Sequence, residues 1–145
     1  MTQKALPFDN VEVGMELPTI VKHPTLKQLI QFAGASGDFH PMHYDDNYAR
    51  SQGQTGVIVH GMLKCAWLSQ LLTEWVGDRG TLKTFYCSYR GVDYPGDTVY
   101  CRGKVTEKKI ENGEQLVACD VWTENQRGKK TTLGNALIAL LPNSK

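Results

Sequence analysis

The segment HGMLKCAWLSQLLTEWV, which occupies residues 60–76, decides the fold of this chain. Its apolar side chains cover most of the circumference of an α-helix, and Gly77 directly after it is a common helix terminator. A helix that is apolar nearly all round must be surrounded by other structure. We therefore predict that residues 60–76 form a helix at the centre of the hydrophobic core, with Trp67 and Trp75 both buried in that core.

A shorter helix is predicted before this segment. Thr25 is followed three residues later by Gln28, which is the capping-box pattern of a helix N-terminus. Leucine, isoleucine and alanine side chains then recur at helical spacing as far as Gly34, where we expect the helix to end. Because only one side of this helix is apolar, it is expected to pack over one face of the core.

After residue 76 the hydrophobic pattern changes to a period of two, which is typical of half-buried strands. Strands are predicted at residues 82–92, 98–107, 115–123 and 131–141, with a fifth near residues 13–20. The turns that separate the first four contain Pro-Gly-Asp, Asn-Gly and Arg-Gly-Lys, and such short loops predict antiparallel neighbours. The order of elements favours an α+β fold in one domain, residues 1–145, with a curved antiparallel sheet of about five strands wrapped around the central helix.

The composition excludes several classes of protein. Of the 145 residues, 41% are hydrophobic and 21% are charged, which is unlike a disordered chain or a membrane bundle. No apolar run follows the first four residues, and residues 60–76 are too short to span a bilayer and contain Lys64 and Glu74. The four cysteines show no CxxC spacing. We therefore expect a soluble, cytoplasmic protein with no membrane association and no disulfide framework.

The charge is mildly asymmetric along the chain. Residues 1–59 hold four Lys or Arg against six Asp or Glu, whereas residues 77–145 hold eleven against eight. An ordinary solvated surface explains this difference, and a phosphate-bearing small ligand also suits it. The basic excess is far below that of a nucleic-acid-binding surface, so no nucleic-acid partner is expected.

The segment GASGDFHPMHYDD, residues 34–46, contains the side chains best suited to chemistry. Its glycines, its proline and its clustered Asp and His residues predict an irregular polar loop between the two helices. Asp38 and His43 can hold complementary protonation states at neutral pH, which suits acid–base catalysis on one water. Alternatively, Asp38 caps the loop backbone and His43 fills a partly buried position. A metal site of Asp38, His40 and His43 is a further alternative, although their spacing matches no common zinc motif.

Gly61 opens the predicted central helix. The first N–H groups of a helix have no intrahelical partner and lie at the positive end of the helix dipole. Because Gly61 has no side chain, its N–H is accessible to an oxyanion or to a polarised carbonyl. The alternative interpretation is a glycine that simply permits close packing of the helix.

The combination of GDFHPMH at residues 37–43 and HGM at residues 60–62 resembles the MaoC-like (R)-specific enoyl-CoA hydratases, also called hydratase 2, of the hotdog-fold group. The single-domain dehydratases of bacterial fatty-acid and mycolic-acid synthesis are similar as well. The resemblance covers nearly the whole chain and implies a single hotdog fold. It implies that Asp38 and His43 are the catalytic dyad that activates one water, and that the Gly61 N–H polarises the thioester carbonyl.

The same resemblance assigns supporting roles to Ser36 and His40. Ser36 fits the small residue of the family pattern. His40 stands where the common motif has Asn, and it either replaces that residue as a hydrogen-bond donor or alters the site. The aromatic residues of the predicted strands are expected mainly in the core, with an acyl tunnel as the alternative: Phe85, Tyr86, Tyr89, Tyr94 and Tyr100.

The implied reaction is the reversible hydration of trans-2-enoyl thioesters, carried by CoA or by acyl carrier protein, to (R)-3-hydroxyacyl thioesters. The resemblance implies no cofactor and no metal. It implies a homodimer or a higher oligomer, with a heterodimer of related subunits also open. Two other functions remain as alternatives: a hotdog thioesterase, which would need a carboxylate on the central helix where the only acid is Glu74, and a non-catalytic acyl-binding subunit, which would be expected to lack the dyad.

Overall fold

The computed structural model describes residues 7–142. Its helices and strands, in chain order, are β1 (Ile20–Lys22), α1 (Leu26–Ser36), α2 (Asp46–Ser51), α3 (Gly61–Val76), β2 (Gly80–Tyr89), β3 (Val99–Glu111), β4 (Glu114–Asn125) and β5 (Lys130–Leu140). Within residues 7–142, no helix is long enough and apolar enough to cross a membrane.

Helix α3 lies at the centre of the core, as the sequence predicts. Leu68 and Leu72 are fully buried, and Trp67 and Trp75 are buried with them. Strands β2, β3, β4 and β5 all contact this helix. Burial of each large apolar side chain contributes roughly 1.5–3 kcal/mol, so this contact is a main source of stability. The helix is not apolar throughout, because its first turns contain a fully buried lysine, Lys64.

The five strands form one antiparallel sheet in the order β1-β3-β4-β5-β2. Irregularities in register interrupt the β2–β5, β3–β4 and β4–β5 pairings. Such β-bulges bend a strand and increase its twist, so they curve the sheet around α3. The predicted α+β architecture, a curved antiparallel sheet of five strands around a central helix, is confirmed.

The strand connections follow the predicted turns in two cases out of three. Asn112 and Gly113 form a two-residue hairpin between β3 and β4, and both have a positive φ, of 52° and 80°. That geometry is typical of the type I′ turns that join twisted strands. The prediction that the first two of the four strands are neighbours was wrong, because β2 pairs with β5. Residues 90–98 instead cross to the opposite side of the sheet and contact the start of α3 on the way.

The first strand also lies later than predicted. Residues 13–20 do not form a continuous strand; Glu16 makes an isolated bridge with Lys104, and β1 begins only at Ile20. Gly14 adopts a positive φ of 92°, and Pro18 has no N–H to donate to a neighbouring strand. These two residues interrupt the pairing that the hydrophobic alternation favours.

The predicted start of α1 is confirmed, but its predicted end was wrong. The Thr25 side chain accepts a hydrogen bond from the Gln28 N–H at 3.1 Å. The helix continues through Gly34 to Ser36 and ends at Gly37, whose φ of 78° gives the left-handed conformation common at helix ends. The stretch that we expected to be irregular therefore contains the last turn of α1 and also a 3-10 turn, Pro41–His43.

Candidate active site

Asp38 is positioned by the end of α1. The Ser36 hydroxyl donates to the carbonyl of Phe32 at 2.7 Å and accepts from the Asp38 N–H at 3.2 Å. Together with the left-handed turn at Gly37, these bonds direct the chain away from the helix and fix the backbone of Asp38. About a third of the Asp38 side chain is exposed, so solvent reaches its carboxylate. Ser36 thus supports Asp38 through the main chain.

His43 lies at the end of the 3-10 turn that Pro41 begins. Its Nδ1 is 2.8 Å from the carbonyl oxygen of Ile58, which can only accept, so Nδ1 carries the proton of the neutral imidazole. The lone pair of Nε2 is therefore free, and Nε2 lies 3.7 Å from Oδ2 of Asp38. This separation is too long for a direct hydrogen bond and short enough for one water to bridge the two atoms.

His60 completes a compact cluster with these two residues. It directly precedes α3 and is fully buried, and its ring stacks on that of His43 at 3.7 Å between centroids. Its Nε2 donates to the carbonyl oxygen of Asp38 at 3.2 Å, whereas its Nδ1 is buried and has no hydrogen-bond partner among residues 7–142. Burial, and then the neighbouring His43, lower the pKa of His60, so a neutral ring is favoured. His60 thereby joins the Asp38 loop, His43 and the start of α3.

Replacing His60 with Gln is expected to remove a component of the acid sensitivity of folding. Because the folded-state pKa of His60 is below 6.5, the unfolded chain binds this proton first as the pH falls, and the free energy of unfolding decreases. One such proton accounts for at most about 1.4 kcal/mol per pH unit. The glutamine side chain does not titrate but can still donate to the Asp38 carbonyl. Urea unfolding at pH 7.5 and pH 5.5 measures the difference, and equal losses in both proteins would contradict this prediction.

Gly61 is the first residue of α3, as the sequence predicts. Its N–H has no acceptor within the helix, since the first acceptor, the His60 carbonyl, takes the N–H groups of Leu63 and Lys64. A Cβ atom at position 61 would lie 3.1 Å from the ring of Tyr89. The Gly61 N–H therefore lies at the N-terminus of α3, directly after His60 in the chain and beside the Tyr89 side chain, which is about half exposed.

His40, the other predicted supporting residue, lies at the edge of the cluster, with its ring centroid 6.2 Å from that of His43. It is exposed, and its Nδ1 accepts a hydrogen bond from the Met42 N–H at 3.3 Å. Its ring makes an edge contact with Tyr48, with centroids 5.8 Å apart. Its backbone N–H, at 3.4 Å, donates to Oδ1 of Asp38. In this arrangement the side chain of His40 begins the 3-10 turn and does not donate to the site.

Two members of the surroundings were not predicted from the sequence. His60 belongs to the HGM motif on which the family resemblance rests, but the sequence analysis assigned its side chain no role in the site. Tyr89 was expected mainly in the core, and it is instead 52% exposed next to Gly61. Among the strand aromatics, Phe85 packs against the core and Tyr86 is 66% exposed.

Three side chains offer possible metal ligands within 4.8 Å of one another: Asp38, His43 and His60. His40, which the sequence offered as a ligand, is not in this group. The rings of His43 and His60 are stacked with an angle of 18° between their planes. Because the lone pairs of an imidazole lie in the ring plane, those of two stacked rings do not converge well on one ion. The geometry suits the binding of a water better than the coordination of a metal by all three.

The curved sheet, the central helix and the Asp–His cluster at the start of that helix define a hotdog-fold domain. The family model of the MaoC like domain matches residues 9–126. The chain belongs to this family. It is also similar in structure to the R-hydratase PhaJ1 from Pseudomonas aeruginosa, with a TM-score of 0.84 and 26% identity, over 96% of this chain and 88% of that one. The predicted hotdog fold and family are confirmed.

Curated relatives agree with this assignment. The (R)-specific enoyl-CoA hydratase from Aeromonas caviae is 26% identical over 132 residues, which are 90% of this chain and 96% of that protein. A 3-oxo-4,17-pregnadiene-20-carboxyl-CoA hydratase beta subunit from Mycobacterium tuberculosis is 27% identical, over 83% of this chain and 90% of the subunit. The fatty acid synthase subunit beta of Aspergillus oryzae is 34% identical over 96 residues, or 64% of this chain, but the chain spans only 5% of its length. The (R)-specific hydratase name and the family description place the domain in the hydro-lyase class.

Proposed function

We propose that this protein adds water across the C2–C3 double bond of trans-2-enoyl thioesters, giving (R)-3-hydroxyacyl thioesters, and catalyses the reverse dehydration. The observation that supports this most directly is the pair of acceptors 3.7 Å apart, Oδ2 of Asp38 and Nε2 of His43. Both accept a hydrogen bond, so a single water between them can donate one hydrogen to each. The (R) configuration is taken from the names of the Aeromonas caviae and Pseudomonas aeruginosa relatives.

In the hydration direction the bridging water attacks C3. As the new C–O bond forms, the water gives one proton to the dyad, and the electrons of the double bond move towards C2 and the thioester carbonyl. The dyad then returns a proton to C2, so hydroxyl and hydrogen are added overall and the dyad regains its starting protonation. The bond from Nδ1 of His43 to the Ile58 carbonyl supports this role, because it keeps Nε2 available as a base.

The developing negative charge on the carbonyl oxygen needs a donor, and we assign this role to the Gly61 N–H. It lies at the N-terminus of a 16-residue helix, where unpaired N–H groups and the helix dipole favour negative charge. A fixed backbone donor needs no reorganisation during the reaction, and its interaction strengthens as the oxygen becomes enolate-like.

Exposed apolar side chains surround this cluster on the described surface, which supports an acyl ligand and a partner subunit. Phe39 is 58% exposed and Met62 is 56% exposed, next to the dyad loop and to Gly61 respectively. Strand β2, which contains Tyr86 and Tyr89, is an edge of the sheet, and an unpaired edge invites association. We propose a homodimer through this edge. The name of the Mycobacterium tuberculosis beta subunit supports a heteromer as the alternative.

A thioesterase function receives less support. It would need a carboxylate on α3 directed at the thioester carbonyl carbon. Glu74 is the only acid of that helix, and it is exposed near the C-terminal end, where Gln70 donates to it at 2.7 Å. The dyad lies at the opposite end of α3, which favours a hydratase over a thioesterase.

Hydration of crotonyl-CoA and of a longer trans-2-enoyl-CoA tests the proposal. Loss of the enoyl-thioester absorbance gives the rate, chiral analysis gives the product configuration, and light scattering of the same sample gives the oligomeric state. We expect (R)-3-hydroxyacyl-CoA from at least one substrate. An (S) product, or no turnover of either CoA ester or of the matching acyl-carrier-protein thioesters, would contradict the proposed function.

A further inference from the structure

A buried ion pair lies directly behind the start of α3. Lys64 is 1% exposed, and its Nζ donates to Oδ2 of Asp93 at 3.2 Å and to the carbonyl of Gly91 at 2.8 Å. Asp93 is fully buried in the connection between β2 and β3. Burial lowers the pKa of Lys64, and the Asp93 carboxylate opposes that effect. The proposed dyad and its water do not involve either residue.

The pair belongs to a hydrogen-bonded network that reaches β4 and β5, the two strands that lie between β3 and β2 in the sheet. Asn125 of β4 donates to Oδ1 of Asp93 at 3.2 Å, and the Thr131 hydroxyl of β5 donates to Oδ2. Thr123 and Thr131 share a further bond of 2.9 Å. Both carboxylate oxygens of Asp93 are therefore satisfied, and the connection is fixed to two strands.

The same residue also holds the main chain just before α3. The Val59 N–H donates to the backbone carbonyl of Asp93 at 2.8 Å, while Lys64, five residues later, binds the Asp93 side chain. Asp93 thus holds the first turn of α3 at both of its ends. Between these two attachments lie His60, which stacks on His43, and Gly61, whose N–H is the proposed carbonyl donor.

Stability alone does not account for a charged pair at this place. Removing two charges from water is costly, and well-packed uncharged replacements of a buried ion pair are often neutral or stabilising. An ion pair with fixed hydrogen bonds instead holds the residues around it in defined relative positions. A displacement of about 1 Å in a positioning element can cost about 100-fold in rate even when it lies away from the reacting atoms.

We propose that Lys64 and Asp93 are positioning residues, which fix the first turn of α3 so that the Gly61 N–H and the His43–His60 stack keep their relative places. The inference rests on the proposed hydratase function for its kinetic consequence. Its structural consequence, an ordered first turn of α3, does not depend on that function.

The test is the double variant Lys64→Met/Asp93→Asn, which removes both charges together. The new amide at position 93 keeps an acceptor for Asn125, and the two threonine hydroxyls can reverse their donor directions so that Thr131 accepts one of its two N–H groups. The Gly91 carbonyl loses the donor that Lys64 provides. The Val59 bond to the backbone carbonyl is retained. A matched control is Lys83→Met/Glu114→Gln, which removes an exposed pair, 2.7 Å apart, that joins β2 to β4.

Two measurements are made on each protein. We expect kcat for enoyl-CoA hydration to fall by about 10-fold to 100-fold in the double variant, with KM nearly unchanged and the thermal midpoint lowered by only a few degrees. Amide hydrogen exchange of Leu63 and of residue 64 is expected to accelerate by about tenfold or more, while that of Leu68 stays the same. The control pair should change neither.

The outcomes separate this inference from the proposed function. If amide exchange in the first turn of α3 is unchanged in the double variant, Lys64 and Asp93 are not positioning residues, even if kcat falls. If exchange is faster but kcat is unchanged, the order of the first turn does not matter for catalysis. If the wild-type protein shows no hydration, the proposed function fails, and the exchange measurement still decides whether the pair orders the first turn. If the double variant does not fold, the single variant Lys64→Arg, which keeps the charge, must preserve both readouts.

Discussion

Replacing Asp38 with Asn is expected to slow enoyl-CoA hydration by at least about 100-fold, the usual cost of losing a general acid–base group. The amide keeps the size of the side chain but is not a base. Its oxygen is favoured at the Oδ1 position, where it accepts from the His40 N–H, so the N–H₂ group faces the water. A water between position 38 and Nε2 of His43 then loses one of its two acceptors, 3.7 Å apart in the wild type. The loss should fall on kcat, since the role proposed for Asp38 is in the chemical step and not in holding the substrate.

The matched control for this variant is Asp46→Asn. Asp46 is exposed and pairs with Arg50 at 2.6 Å within α2, so the same chemical change there should leave the rate within about twofold.

His43→Ala is expected to lose as much activity as Asp38→Asn. The double variant should lose little more than either alone if, as proposed, the two residues act on one water. Circular dichroism must show folded protein in each case, and near-normal turnover by a folded Asp38→Asn protein would refute the dyad.

The parts of the fold that were predicted correctly depend on local sequence pattern. The apolar circumference of residues 60–76, the Thr25 cap and the Asn112-Gly113 hairpin are each encoded within a few residues, and all three are confirmed. Two errors are local, because α1 passes through Gly34 and the first strand begins only at Ile20. The error in strand order concerns contacts between distant residues. No local signal shows that β2 pairs with β5 at one edge of the sheet, since that pairing is decided by how the whole sheet curves around α3.

For the candidate site, too, the individual residues could be predicted from local motifs, whereas the contacts between them could not. Asp38, His43 and Gly61 were selected by motif and by family resemblance. Hydrogen bonds and packing join them into one place: His60 bonds to the Asp38 carbonyl across 22 residues, and His43 bonds to Ile58 across 15. Lys64 could not be interpreted from sequence, because its significance lies in Asp93, 29 residues later. A lysine on an apolar helix indicates a surface position until its buried partner is known.

Replacing Gly61 with Pro is expected to lower kcat/KM by about 100-fold to 1,000-fold, which corresponds to about 3 kcal/mol of transition-state stabilisation. Proline deletes the N–H that we assign to the carbonyl oxygen. It is otherwise well tolerated at the first position of a helix, where that N–H has no intrahelical acceptor. The preceding residue must be extended before a proline, and His60 already has a φ of −55° and a ψ of 133°. The helix should therefore form normally.

Gly61→Ala is the matched control, because it adds a Cβ and keeps the N–H. In the wild type that Cβ would lie 3.1 Å from the Tyr89 ring, so both variants must move this half-exposed side chain by a few tenths of an ångström. The difference between the alanine and proline variants isolates the N–H from the steric effect. Near wild-type activity in both proteins would show that the carbonyl is held by another donor. A large loss of activity in both would instead show that position 61 requires a residue without a side chain beside Tyr89.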